Sequence, residues 1–393
     1  MMELNTTNLN DILKQVNKKF NTIVAQVGVP ELRQKSTLSL GSPSLDFCLF
    51  NSLPEGTFIE FNGLESSGKT TTAFLVAASY MKKELERHPE NPRKILFVDA
   101  ECATDPEWAL KATGYDMNDT KVPTIYVSGA GQSAEEYFDI VIDFLKTGEI
   151  GLVIFDSLSM IAGKQIVSES MEKQQMGGIA KILGDFCKRA VGLLNRYRTT
   201  FIGINGLNEN IGGYGDPLVT GGGRTWKRAC MVRLRFKRGD FFDEEGNILT
   251  KSAQSPAGNI IEMYVEKTKV CEWSRKLGFL HLNYSKGVDL LWDTIEVATY
   301  LGLIKQINQM TFAIVDPDTG EILKDEKGEE LKIKGKKNLK PYFLEHLDLW
   351  RKLYDKSYEM FSKKNDPNIV AFEKMLNIDI EEKLGYVLNS QED

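Results

Sequence analysis

Residues 63–70 read Gly-Leu-Glu-Ser-Ser-Gly-Lys-Thr and fit the pattern G-x-x-x-x-G-K-[ST], between an apolar run at 58–63 and a stretch of helical periodicity at 70–88. This loop constrains the fold more than any other feature, because its chemistry requires a strand that feeds directly into a helix. Gly63 and Gly68 let the backbone curl until successive N–H groups face an anion, and the helix amino terminus adds the positive end of its dipole. Lys69 supplies a point charge to the β- and γ-phosphates of a nucleotide, and Thr70 supplies a hydroxyl ligand for Mg²⁺. Glu65, Ser66, Ser67 and Thr71 fill the rest of the loop and first turn and are expected to line the same nucleotide.

The surrounding pattern predicts an α/β domain. Strand-like runs at 58–63, 94–101, 151–158 and 199–205 alternate with helical stretches at 70–88, 133–148 and 179–197. Near-continuous apolar strands separated by helices indicate a mostly parallel sheet flanked by helices on both faces. Two later runs, 232–239 and 259–270, alternate in the manner of antiparallel strands joined across a turn signal at 243–247. Upstream, Leu9, Ile12, Leu13, Val16 and Phe20 recur at helical spacing before a short apolar run at 22–29. This helix-strand piece, 1–36, is too small to bury its own apolar face, so it is expected to pack on the main domain or on a neighbouring subunit. The core is expected to span 37–288. Beyond it the chain reads as helical at 294–304, turn-rich and charged at 316–340 and helical again at 341–362, a separate carboxy-terminal α+β domain over 289–393.

Composition excludes other classes. A chain of 393 residues with 42% hydrophobic and 26% charged residues is neither disordered nor fibrous. It has no run of about 18 apolar residues, so no membrane partner is expected. The first twenty residues lack the continuous apolar stretch of a secretory signal, which predicts a cytoplasmic protein. Cys48, Cys102, Cys187, Cys230 and Cys271 are scattered without C-x-x-C or Cys/His spacing, so neither a disulfide framework nor a zinc site is indicated.

A site that hydrolyses a nucleotide also needs carboxylates. Asp156 ends the strand-like run LVIFD and is placed to hold Mg²⁺ through water or Thr70. Glu101 closes the run 94–101 and is expected to lie next to the phosphate-loop strand, where it can orient or deprotonate an attacking water. On the residues alone, an acid that merely caps a strand end explains Glu101 equally well.

The motifs in order, GLESSGKTT, FVDAECATDPEWA, VIFDSLSMI and GIN followed by a glycine-rich stretch ending TGGG, resemble the bacterial RecA recombinases and their phage-encoded relatives. STLSLGSPSLDFCL at 36–49 is similar to the segment that leads into the core of that family, and the resemblance runs from about residue 10 to 290. It implies a RecA-type P-loop NTPase core and an amino-terminal piece that serves oligomerisation. It also implies a DNA-dependent ATPase that uses ATP and Mg²⁺, assembles into a helical homo-oligomer on single-stranded DNA and pairs that strand with homologous duplex DNA. Single-strand-binding and mediator proteins would be further partners.

Carried over residue by residue, the resemblance makes Glu101 the general base and Asp105 and Trp108 the adenine-side contacts, with Tyr284 also near the nucleotide. Lys267 and Lys269 match a pair that reaches the γ-phosphate held by a neighbouring subunit, in the manner of an arginine finger supplied in trans. Two loops, 163–177 and 207–223, would line the DNA channel. Met176 and Ile211 match wedges between stacked bases, Lys181 and Lys188 stand at backbone-contacting positions, and Gly222, Gly223 and Arg224 would offer N–H groups and charge to phosphates. Two departures stand out. The family's Asn-Gln pair, whose amide senses the γ-phosphate, is Asn205-Gly206 here, so that either Asn205 or Asn208 takes over or the coupling is looser. Arg228 replaces an aromatic residue of the subunit contact.

The expected function is an ATP-dependent recombinase that exchanges strands in recombination and repair. Gly206 and Arg228 favour the alternative, an accessory or mediator protein of the same fold that binds ATP and DNA without exchanging strands. A ring helicase fits poorly with the amino-terminal piece and the Lys267/Lys269 pair. The net charge of −6 does not oppose a DNA partner. Residues 181–238 hold twelve basic residues against three acidic, a net of +9, while the rest of the chain holds 37 against 52, a net of −15. A basic channel in an acidic protein binds DNA with an affinity that falls as salt rises.

Overall fold

The computed structural model describes residues 9–20, 37–49, 52–129, 132–164, 178–209, 217–269 and 277–362. The chain divides into two units, Met1–Ser36 and Thr37–Asp393. In the first, the helix Leu9–Phe20 carries Asp11 in its first turn and Lys18 and Lys19 in its last, charges that complement the helix dipole. The apolar run at 22–29 lies outside the described residues, as do 165–177 of the first loop with Met176, and 210–216 of the second with Ile211.

The second unit is built on a ten-stranded sheet. Its parallel part runs Thr124–Ser128, Lys94–Asp99, Ile150–Asp156, Thr200–Asn205, Phe58–Gly63 and Val232–Phe242 in spatial order. Gly258–Thr268, Leu277–Asn283 and Gly287–Val288 continue it antiparallel. Side chains alternate between two cores, as the pleat requires. Ile59, Phe61, Ile95, Phe97, Leu152, Ile154, Ile202 and Ile204 join the helix Lys69–Arg87 on one face. Their neighbours Phe58, Leu96, Val98, Val153, Phe155 and Phe201 join the helices Ala134–Thr147 and Gly178–Tyr197 on the other. Burial of both faces is why these strands read as continuous apolar runs.

Four details depart from the sequence reading. Glu101 does not follow a strand adjacent to Phe58–Gly63, because Thr200–Asn205 and Ile150–Asp156 lie between that strand and Lys94–Asp99. The turn at 243–247 closes a short hairpin, Phe241 and Phe242 against Leu249 and Ile248, and residues 250–257 then lead to Gly258–Thr268. The second loop has strands at both ends, Leu207–Glu209 paired with Leu218–Thr220, since its glycines lie outside these two segments and Val219 and Thr220 favour a strand. The helix expected at 294–304 is Leu290–Tyr300, stopped at Gly302 (φ +74°), and Ile304–Asn308 is a strand.

The carboxy-terminal part has its own apolar cluster, with Ile295, Phe312, Ile314, Leu339, Phe343 and Leu353, which Phe47 of the core joins. Buried acids pin this part to the core. Asp46 accepts hydrogen bonds from Leu40 N at 2.7 Å and Tyr358 Oη at 2.7 Å, and Asp293 meets Ser42 Oγ at 3.0 Å and His281 Nδ1 at 2.7 Å. Among the described residues no helix is long and apolar enough to cross a membrane.

Candidate active site

Gly63, Asp99, Asp156 and Asn205 end parallel strands on one edge of the sheet, the edge where open α/β sheets bind ligands. The phosphate loop leaves Gly63 and enters the helix Lys69–Arg87 through Gly68, whose φ of +90° is a left-handed conformation suited to glycine. A Cβ at Gly68 would strike the Ile261 side chain, and one at Gly63 would strike the Phe236 carbonyl. Ser67 Oγ donates to Leu64 O at 2.7 Å, and Lys69 Nζ reaches Gly63 O at 3.0 Å and Leu64 O at 2.7 Å, which holds the ammonium over the loop. Burial lowers the pKa of Lys69 against the pull of Asp156, Glu101 and Glu65.

Thr70 Oγ1 donates to Asp156 Oδ2 at 2.7 Å. Burial, with Glu101 and Asp99 adding to it and the Thr70 hydrogen bond opposing, pushes the Asp156 carboxyl up to about 6. A hydroxyl and a carboxylate are the hard oxygen donors that Mg²⁺ takes, and as two ligands of an octahedron they leave room for phosphate and water. The residues present therefore fit a nucleotide-bound Mg²⁺. Glu101 reaches this edge by a turn rather than by strand adjacency. Ala100 N donates to Asp156 O at 2.7 Å, and Ser157 Oγ donates to the Glu101 carboxylate. Asp99 shapes the turn by accepting from Glu101 N at 3.1 Å, Thr104 N at 3.0 Å and Tyr126 Oη at 2.6 Å. Burial works to raise the Asp99 carboxyl, but the bonds from Tyr126 and Thr104 outweigh it and hold the group below its ordinary value.

The adenine-side residues have structural duties of their own. Asp105 caps the helix Pro106–Thr113, its Oδ1 accepting from Glu107 N and Trp108 N, each at 3.0 Å. Trp108 is half-buried against the core. Tyr284 Oη donates to Asn259 Oδ1 at 2.9 Å and follows the strand Leu277–Asn283. Its turn lies on the Trp108 helix, since a Cβ at Gly287 would come within 2.6 Å of Ala112 Cα.

Lys267 and Lys269 face the second loop's exit. Lys267 Nζ donates to Lys227 O at 2.5 Å and Cys230 O at 2.6 Å, and both lysines reach Arg228 O at 3.3 Å. They thus cap the carboxy-terminal end of the helix Gly223–Ala229, where a cation is favoured. Burial, then the neighbouring Lys269, lowers the Lys267 pKa. Gly222 and Gly223 enter that helix at φ +83° and +74°. A Cβ on them would lie 2.8 Å from Leu183 and 2.9 Å from Ala180, so the loop exit packs on the helix that bears Lys181 and Lys188. Arg224, Lys181 and Lys188 are exposed, and Lys188 pairs with Asp185 at 2.8 Å.

Sequence reasoning misses Asp99, Ser157, Ser159 and Glu60. Glu60 is fully buried and accepts from Asn205 Nδ2 at 2.9 Å, Trp226 Nε1 at 2.6 Å and Arg233 Nε at 2.5 Å, bracing both ends of the second loop. An acid inside the apolar run FIEFNG is the signal, because a buried charge must be paired. Asn205 is thereby committed to Glu60.

The family model described as the RecA N-terminal domain matches residues 7–289. Protein RecA of Fusobacterium nucleatum is 29% identical over 80% of this chain and 77% of its own length. The protein of the same name from Campylobacter fetus is 30% identical over 74% and 79%, and that of Ruminococcus albus 27% identical over 89% and 81%. Among solved structures, the RadB recombinase is similar at 18% identity and a TM-score of 0.45, covering 64% of this chain and 98% of its own. A family match over most of the chain, on a mostly parallel sheet flanked by helices with a phosphate loop at its carboxyl edge, makes this chain a member of the RecA family and a recombinase, whose family implies DNA-dependent ATPase activity and the use of a nucleotide with Mg²⁺.

Proposed function

We propose that the chain hydrolyses ATP while polymerised on single-stranded DNA, and that the filament pairs and exchanges that strand with a homologous duplex. The observation that carries this reading is the gathering of Lys69, the Thr70–Asp156 pair and the Ser157-held Glu101 at one sheet edge, beside the start of the second loop. Lys69 and the loop N–H groups would hold the phosphates, with Asp105, Trp108 and Tyr284 on the base side. Thr70 and Asp156 would hold Mg²⁺, which when bound supplies positive charge against the β- and γ-phosphate oxygens. Glu101 would orient a water in line with the γ-phosphate and accept its proton. Lys267 and Lys269 would serve the site of the next protomer, so that turnover needs an assembled filament. Lys181, Lys188, Arg224 and the N–H groups of Gly222 and Gly223 would follow the DNA backbone, together with Met176 and Ile211 as base wedges.

Gly206 and Arg228 favour a second reading, an accessory protein that binds ATP and DNA without strand exchange. Two measurements on the purified chain separate the readings. ATP turnover is expected to rise when single-stranded DNA is added and to vanish in Lys69→Ala. Electron microscopy with single-stranded DNA and a nonhydrolysable ATP analogue is expected to give right-handed helical filaments that exchange strands when duplex and ATP are supplied. Turnover indifferent to DNA, or closed rings, would refute the recombination mechanism. DNA-bound filaments without strand exchange would select the accessory reading.

A further inference from the structure

Two serines lead from Glu101 to the second loop. The Glu101 carboxylate accepts from Ser157 Oγ, Ser157 Oγ lies 2.8 Å from Ser159 Oγ, and Ser159 Oγ accepts from Gly206 N at 3.2 Å. A hydroxyl has one proton to donate, and an ionised carboxylate only accepts. Ser157 spends its proton on Glu101, so the bond between the serines uses the Ser159 proton, and Gly206 N–H completes the line. All three bonds therefore point the same way, towards the carboxylate, an arrangement in which each polarises the next.

The Asn205 side-chain amide is engaged elsewhere and does not make this link. Asn205 Nδ2 is held by Glu60 at 2.9 Å and lies 3.5 Å from Gly221 O. Gly206 has no side chain, and a Cβ there would come within 3.3 Å of Ser159 Oγ, so the small residue keeps the serine close to the backbone. Gly206 is followed at once by Leu207–Glu209, the strand that pairs with Leu218–Thr220 at the two ends of the second loop.

We infer that Ser159 is a positioning residue that couples the second loop to Glu101 by a backbone-to-hydroxyl relay, in place of a side-chain amide. The inference rests on the proposed reading of Glu101 as the base and of residues 207–223 as a DNA-binding loop. A shift of Gly206 when the hairpin takes up DNA reaches the carboxylate through Ser159 and Ser157, which changes how Glu101 is held against the attacking water.

The test uses the full chain and reads the ratio of ATP turnover with single-stranded DNA to turnover without it. In Ser159→Ala this ratio is expected to fall at least about fivefold, the lower end of typical coupling between sites, while a nonhydrolysable ATP analogue still binds. Ser159→Thr keeps the hydroxyl and is expected to restore most of the ratio. An unchanged ratio in Ser159→Ala, whatever its absolute rate, overturns the relay, and so does a Thr variant as defective as the Ala variant. Wild-type turnover that ignores DNA is seen in the first arm of the experiment and removes the ATPase reading together with the relay.

Discussion

Glu60 shows how a single residue ties the site to the core. Its carboxylate is fully buried in the middle of Phe58–Gly63 and is satisfied by three donors from three other elements, Asn205, Trp226 and Arg233. Arg233 is itself mostly buried and also meets Glu266 at 3.1 Å. Removing one partner of a buried charge pair costs at most about 3–5 kcal/mol, and here Glu266 still faces Arg233 while Asn205 and Trp226 lose their buried acceptor. Glu60→Ala is therefore expected to lower the urea unfolding free energy by up to that amount, and Glu60→Gln, which retains an acceptor for Trp226 or Asn205, by less. A Glu60→Ala protein as stable as wild type would show that the network is dispensable. At this scale the sequence is legible where the chemistry is contiguous. Gly63, Gly68, Lys69 and Thr70 announce themselves within eight residues, whereas the partners of Glu60 lie on strands and a helix far along the chain, and no local pattern connects them.

At the scale of elements, which runs form strands is readable from alternation and length, and their spatial order is not. Glu101 sits at the functional edge although its strand lies three positions from Phe58–Gly63. The crossovers decide that order, and a backbone turn braced by Asp99 then carries the carboxylate back to Ser157. The seam between the sheet and the helix Leu290–Tyr300 is likewise invisible in the sequence, since His281 and Asp293 belong to different elements. Burial works against the His281 imidazolium, but Asp293 at 2.7 Å outweighs it, with Glu296 and Asp289 adding, so the pKa is raised above 6.5. A raised histidine value means that the stabilisation is fully present below 6.5 and is lost as pH rises through the folded-state value. The thermal midpoint of the wild type is thus expected to decline as pH rises above 6.5, and Asp293→Asn is expected to remove or reverse that slope, because the buried imidazole then loses its reason to hold a proton. Parallel slopes in the two proteins would assign the pH dependence to other groups.

At the scale of the whole molecule, the protomer carries what reads as half of two sites. Glu101, Lys69, Thr70 and Asp156 gather at one sheet edge, while Lys267 and Lys269 point at the carbonyls that end the helix Gly223–Ala229. In that position the lysines do not serve the chain's own phosphate loop, as a residue meant for a neighbour's nucleotide requires. In the proposed head-to-tail assembly, Glu101 of one protomer would face the lysines of the next. Glu101→Ala and Lys267→Ala should each be inactive alone, one lacking the base on its own side of every interface and the other lacking the charge on the opposite side. Mixed in equal amounts and assembled at random on single-stranded DNA, they form some interfaces that join an intact Glu101 to an intact Lys267. That arrangement arises at about one interface in four, so turnover is expected to recover to about a quarter of the wild-type rate. Recovery should depend on DNA and on protein concentration, because both govern assembly. If the mixture stays as inactive as its components while mixed filaments are visible by microscopy, the two residues act within one protomer and the shared site is refuted.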